Sequence, residues 1–399
     1  LSWRGASRKD QSSGDMMQAV ILAAGEGSRL RPLTRSKPKS MLPVANRPII
    51  EYVIDALLEN GIRDIIVVVG YRKEDVIRHL NRLDAPIQVV VQERQLGTAD
   101  ALRAAESEIT GDFLVLPGDN YVNAESIARI RKERNAMLVA EHPSPSNFGV
   151  VVIRNGLVRE IIEKPEDAPT FTVSTGIYSF SPDVFSCLRT NEIPDALAAM
   201  IAAGHRIRAI PADDWQDAIY PWDLLKLNNR MLREISPEVG GTVDASVIRR
   251  GTVRIGTGTT VGPNTVIYGP VAIGDNCNIG SNCVIMPNAS IGDRVEIEPF
   301  TYVADSLIMS DARIGSHSRI VSAVFGQGCI LADHTTTYPS ASFIEVGERV
   351  QKEEFGAVLG DGVRAAPFTT FKNCIAGNNV TIERGKTVVG LIEDGTRVM

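Results

Sequence analysis

Two hydrophobic rhythms divide the chain near residue 236. Before that point, short and wholly apolar runs alternate with stretches of helical spacing. Residues 19–24 and 65–69 read as buried strands, and residues 87–92 and 113–116 as further strands. Residues 49–58, 76–80 and 98–105 read as helices that bury one side. This alternation predicts an α/β fold, a mostly parallel sheet with helices on both faces. Ligands of such sheets sit at the carboxyl ends of the strands. Residues 137–180 are strand-rich, with Asn155-Gly156 as a hairpin turn, and predict an inserted β region over the sheet edge. Pro221 is expected to open a last helix, DLLKLNNRMLREI, ending near Ser236-Pro237.

Beyond that boundary the period changes. From Val243 to Val303 an aliphatic residue returns every sixth position, broken only at Arg249. Half of these residues are followed by Gly and then by Asp, Ser, Asn, Thr or Pro. A six-residue repeat winds as a parallel β-helix, with the aliphatic side chain inside and the polar residues at the corners. The register slips by one near Leu307 and resumes at Ile308, Ile314 and Ile320. A polar stretch, residues 332–352, then interrupts it. The expected plan is a disordered leader (1–15), an α/β domain (16–236) and an all-β β-helix domain (237–399).

Composition narrows the setting. With 399 residues, 44% of them hydrophobic, the chain can bury a large core. A net charge of −6 argues against a nucleic-acid surface. No apolar run approaches the ~20 residues of a membrane span. The opening LSWRGASRKDQSSGD has no apolar stretch and does not read as a secretory signal. Five cysteines without metal-ligand clustering suit a reducing, cytoplasmic setting. Cys277 and Cys283 fall inside the six-residue repeat and read as small buried side chains.

The stretch richest in chemistry is QAVILAAGEGSRLRPLTRSKPKSMLPVANRP, residues 18–48. A strand ends in Gly25 and Gly27. Five cations and no acid then lie between Arg29 and Lys39. A glycine turn lets backbone N–H groups approach a phosphate, and the cations neutralise a polyanion. Pro32, Pro38 and Pro43 stiffen the loop. The spacing fits neither the Walker pattern nor the dinucleotide fingerprint.

GEGSRLRPLTRSKPKSMLPV closely resembles the signature of the sugar-1-phosphate nucleotidylyltransferases. The resemblance implies a Rossmann-like domain followed by a left-handed β-helix that tends to trimerise. It also implies a reaction between a nucleoside triphosphate and a sugar-1-phosphate that releases diphosphate. Leu22, Ala24, Gly25, Gly27 and Arg29 would then line the nucleotide, with Arg29 and Lys39 as cations on the triphosphate. Lys37 and Arg35 fall outside the pattern and read as solvent-facing. Asp119 in LPGDN and Asp223 in YPWDLL would hold Mg²⁺, a hard cation that favours oxygen ligands. VQERQLGTADAL resembles uridylyl- and thymidylyl-transferring members, which makes Gln92, Gly97 and Thr98 contacts to UTP or dTTP. Gly149, Glu163, Lys164 and Thr175 would meet the sugar phosphate, glucose-1-phosphate or N-acetylglucosamine-1-phosphate. Ser174 stands where related acetamido-sugar enzymes often carry Asn.

Two alternatives share this architecture. Some relatives acetylate an amino-sugar-1-phosphate in the β-helix, using acetyl-CoA. Here the position of their general base becomes Thr336, with His334 displaced by two. Others are non-catalytic regulatory subunits, against which Arg29, Lys39, Asp119 and Asp223 all speak.

Overall fold

The computed structural model describes residues 17–346 and 349–399. The expected leader, residues 1–15, lies outside the described residues. The chain forms two compact units. One comprises the segment ending at Gly25 together with Tyr52–Gly118 and Val122–Trp215. The other comprises Glu26–Glu51, Asp119–Tyr121 and Gln216–Met399.

The first unit is built on a nine-stranded sheet. Its order is Ile87–Val91, Asp64–Val69, Gln18–Ala23, Phe113–Pro117, Thr172–Phe180, Ala136–Glu141, Arg208–Pro211, Leu157–Glu163 and Gly149–Arg154. The first four strands are parallel, and the three at Asp64–Val69, Gln18–Ala23 and Phe113–Pro117 carry the long apolar runs such strands favour. Helices Lys73–Leu80 and Thr98–Ala104 cover the sheet. Thr172–Phe180 enters antiparallel beside Phe113–Pro117 and begins the mixed half. The expected hairpin is there, with Arg154 opposite Leu157. Asn155 and Gly156 both take positive φ, 54° and 73°, which this tight turn demands. The Val, Ile and Leu side chains of Gln18–Ala23, Asp64–Val69 and Phe113–Pro117 are fully buried, except that of half-buried Leu22. Each contributes roughly 1.5–3 kcal/mol by leaving water.

The second unit is dominated by the β-helix. Parallel strands stack in successive coils, for example Val261 on Ile279 and Ile279 on Ile297. The spacing is eighteen residues there, and the slip near Leu307 appears as a seventeen-residue step, Ile297 to Ile314. The inward column of Ile, Val, Cys and Phe is one continuous core. Cys277 and Cys283 lie within it, and burial pushes both thiols up. The polar interruption contains an antiparallel hairpin, Ser340–Val346 with Arg349–Phe355.

Corner residues bind coil to coil. Asp275, Asp293, Asp361 and Asp394 each accept, through Oδ1, a backbone N–H from the preceding coil. Two of them also reach the basic loop with their second oxygen. Asp361 Oδ2 accepts from Ser36 Oγ and lies 3.8 Å from Lys37 Nζ. Asp394 Oδ2 lies 3.0 Å from Arg35 Nε. Lys37 Nζ also donates to Gln327 at 2.7 Å. Arg35 and Lys37 are therefore ion-paired to the β-helix instead of facing solvent alone. The acids that partner them lie more than 300 residues away, beyond the reach of local pattern.

The last helix begins at Asp223, two residues after Pro221, and runs to Leu232. Asn228 in it caps the Ala45 N–H at 2.9 Å and binds Ser290 of the β-helix at 2.6 Å. Ahead of the helix, Tyr220 stacks on Trp222 and Trp222 on Phe355 of the hairpin, with centroids 5.0 and 5.4 Å apart.

Candidate active site

Lys39 is the focus of the second unit. It opens a single 3₁₀ turn after Pro38 and is 9% exposed. Its ammonium lies 2.6 Å from Asp217 Oδ1 and 3.1 Å from Asp119 Oδ2. Burial alone would lower the lysine's affinity for its proton, but Asp119 and Asp217 more than reverse that, so the ammonium is held charged. Asp217 is pushed up from the ordinary carboxylate range. Burial is the first cause; the charge and hydrogen bond of Lys39 oppose it, and the charges of Asp119 and Asp223 add to it. Gly27 serves this arrangement twice. Its φ of 72° is left-handed, and a Cβ there would stand 2.8 Å from Lys39 Cβ.

Of the four expected catalytic residues, the structure brings Lys39 and Asp119 together. Asp223 is near enough for its charge to act on Asp217, but both its oxygens are engaged locally. Oδ2 accepts from the Ile219 and Tyr220 N–H groups at 3.2 and 3.0 Å, and Oδ1 lies 3.2 Å from Lys226. That geometry folds the YPWD turn onto its helix. Asp217, which sequence reasoning missed, takes the place beside Asp119. The signal was present, an acid ending the short Trp215–Asp217 strand six residues before Asp223. Arg29 is exposed and makes no ion pair among the described residues.

Glycine and backbone dominate the strand-end positions of the first unit. Leu22 accepts the Gly118 N–H and Ala24 that of Tyr71, each at 2.9 Å. A Cβ on Gly25 would meet nothing within 4 Å, so the turn leaves open space there. Gln92 is buried and donates to Gly97 O at 3.2 Å and Asp100 Oδ2 at 2.8 Å. Gly97 has no room for a side chain, because a Cβ would lie 2.3 Å from Asn191 O. Thr98 does not cap its own helix. Its hydroxyl donates to Glu192 at 2.9 Å and accepts from the Ile193 N–H at 3.0 Å.

The expected sugar-side residues split in two. Gly149 pairs with Glu163 across the hairpin, and Glu163 lies 2.6 Å from Lys164 Nζ. A Cβ on Gly149 would come within 3.1 Å of Glu163 Oε2, so the glycine keeps that carboxylate's place open. Thr175, by contrast, is buried and spends its hydroxyl on Leu138 O and the Ile177 N–H. It shapes the strand from within.

In the β-helix, His334 lies between rings. It stacks on Phe368 at 4.6 Å and on His317 at 5.1 Å, in a column that continues to Phe300.

Buried cation, paired carboxylates, strand-end glycines and an appended β-helix together define a nucleotidyl transferase carrying a second, repetitive domain. Comparison with known proteins agrees. Residues 18–234 match the family model described as nucleotidyl transferase, and residues 267–392 match the GMPPB C-terminal domain. A "Bifunctional protein GlmU" of Methanococcus maripaludis is 34% identical, over 92% of this chain and 95% of its own length. A "UTP--glucose-1-phosphate uridylyltransferase AglF" of Haloferax volcanii is 39% identical, over 55% of this chain and 98% of its own. Among solved structures, one described as a putative glucose-1-phosphate thymidylyltransferase from Bacillus anthracis, with bound sucrose, has a TM-score of 0.50 at 27% identity. It covers 56% of this chain and 98% of that one. The chain belongs to the sugar-1-phosphate nucleotidyltransferase family and is an enzyme of that class.

Proposed function

We propose that the enzyme joins UTP or dTTP to glucose-1-phosphate or N-acetylglucosamine-1-phosphate, releasing diphosphate. The observation that carries this reading is the Lys39 ammonium held between Asp119 and Asp217. Two anionic reactants repel each other, and in-line phosphoryl transfer needs that repulsion neutralised and the reacting oxygens aligned. Lys39 supplies a fixed charge that its acidic neighbours keep protonated. Arg29, exposed and without an ion-pair partner among the described residues, would be available to a phosphate.

The donor set fits Mg²⁺. Two hard carboxylates already attract one cation, and the family's metal completes its shell with phosphate oxygens and water. Asp119 and Asp217 would hold it, while Asp223 fixes the turn between them and the helix. When bound, the metal would withdraw charge from the phosphate oxygens. Gln92 and Gly97 would meet the base, and Gly149, Glu163 and Lys164 the sugar phosphate. The names of the Haloferax and Bacillus proteins support glucose-1-phosphate with a uracil or thymine nucleotide. A cytoplasmic homo-oligomer assembled through the β-helix completes the reading.

The chain-long similarity to proteins named bifunctional supports a second reading, acetyl transfer in the β-helix. Against it stands His334, its ring occupied on both faces. A diphosphate-release assay over a panel of triphosphates and sugar phosphates tests the first reading. Metal-dependent release with UTP or dTTP is expected. Silence across the whole panel would overturn it. Thiol release from acetyl-CoA with glucosamine-1-phosphate tests the second.

A further inference from the structure

We infer that Asp100 determines which bases the enzyme accepts, by locking the side-chain amide of Gln92 in one orientation. The inference rests on the proposed role of Gln92 at the base.

The argument is one of donors and acceptors. An amide side chain has a donating and an accepting end that differ little in shape, so its environment must decide which end points where. A carboxylate only accepts. Asp100 Oδ2 therefore forces the nitrogen of Gln92 toward itself, at 2.8 Å, and the second N–H goes to Gly97 O at 3.2 Å. Both donors are used. The remaining atom, Oε1, takes no hydrogen bond among the described residues and keeps access to solvent, although Gln92 as a whole is only 4% exposed. An amide oxygen held open in this way is an acceptor available to a ligand.

Asp100 is itself anchored. Arg103 lies 3.1 Å from its Oδ1, and the same guanidinium donates to Leu188 O at 3.2 Å and Thr190 O at 2.7 Å. Gln92 is fixed at its backbone by an N–H bond to Val69 O at 2.8 Å. The chain Arg103–Asp100–Gln92 thus has no member free to reverse.

An acceptor selects a base edge that offers N–H. Uracil and thymine carry that proton on the ring nitrogen between their two carbonyls. Cytosine carries a lone pair at the same atom, so Gln92 Oε1 would face it oxygen against nitrogen with no proton between. The substrate class assigned here is nucleoside triphosphates of pyrimidines with a protonated ring nitrogen. Asp100 touches no substrate and acts through Gln92 as a positioning residue.

The test is the ratio of kcat/KM for UTP over CTP in the wild type and in Asp100→Asn. Asparagine can offer its own NH₂ to Gln92, which lets the amide reverse and present a donor. The ratio is expected to fall about tenfold or more, on the scale of one base-reading hydrogen-bond pair. An equal loss for both nucleotides, or an unchanged ratio, would overturn the inference and leave the proposed function standing. A wild type that turns over no pyrimidine triphosphate would overturn both. A second measurement needs no variant. UTP methylated at its ring N–H should be a poorer substrate of the wild type by about tenfold or more, and equal use of it would refute the role of Gln92 Oε1.

Discussion

The nine-stranded sheet and the β-helix both bury aliphatic strands, yet they place polar residues by opposite rules. In the sheet no two strands are alike, and its polar groups gather at strand ends in combinations that occur once, such as Gln92 with Gly97 and Asp100. In the β-helix the same corner recurs. Asp275, Asp293, Asp361 and Asp394 all close a coil in the same way. What separates Asp361 and Asp394 from the others is where the second carboxylate oxygen goes, to the basic loop that carries Lys39. A repetitive scaffold thus gains individual contacts without altering its repeat. A coil corner can stabilise its neighbour and hold the basic loop with one side chain.

That contrast can be broken at several points. The largest effect is expected at Lys39→Ala. It removes the cation held by both Asp119 and Asp217, and turnover should fall about 100- to 1,000-fold, the range for losing one preorganised charge. Retained turnover would detach the basic loop from the chemistry. Next comes Ile285→Ala in the β-helix column. The side chain is fully buried, and its loss should cost about 2–5 kcal/mol in urea unfolding. If diphosphate release survives at concentrations where the coil is intact, scaffold and chemistry are separable there.

A smaller effect concerns alkaline pH in the sheet unit. Burial pushes the Tyr178 phenol up to about 12. The raised group contributes stability that is fully present below an ordinary phenol's pKa, near 10, and is lost as pH rises toward 12. Tyr178→Phe should flatten the urea midpoint across that window, and an unchanged slope would assign the loss to other groups. The smallest effect is expected at Asp394→Asn. Its pair with Arg35 is partly exposed, so KM for the triphosphate should rise only about two- to tenfold, and added salt should reproduce part of the rise. An effect on kcat alone would contradict a role in seating the loop.

How much of this the sequence could reveal depends on distance along the chain. The β-helix was legible because its period is local, and even the one-residue slip near Leu307 shows in the stacking. The parallel strands were legible because burial on both faces leaves unbroken apolar runs. Lys39 and Gly27 were legible through a contiguous signature, and the structure supplies the reason, since a Cβ on Gly27 would stand 2.8 Å from Lys39 Cβ. Asp217 was not, because YPWDLL offered a nearby acid in a familiar frame, and only folding shows which carboxylate turns to Lys39. The protein partners on which Thr98 and Thr175 spend their hydroxyls were hidden too, since no linear pattern reveals them. The pairing of Arg35 and Lys37 with the β-helix was equally hidden.

The account turns on Asp217 and Asp119 sharing one cation site. Its most direct measurement is metal-dependent diphosphate release by Asp217→Asn beside Asp223→Asn, at saturating triphosphate and sugar phosphate and over a range of Mg²⁺. The account predicts a loss of about 100-fold or more in Asp217→Asn, not recovered by added metal, and a milder loss in Asp223→Asn. Near-normal, Mg²⁺-saturable turnover in Asp217→Asn, with the severe loss at Asp223, would contradict it.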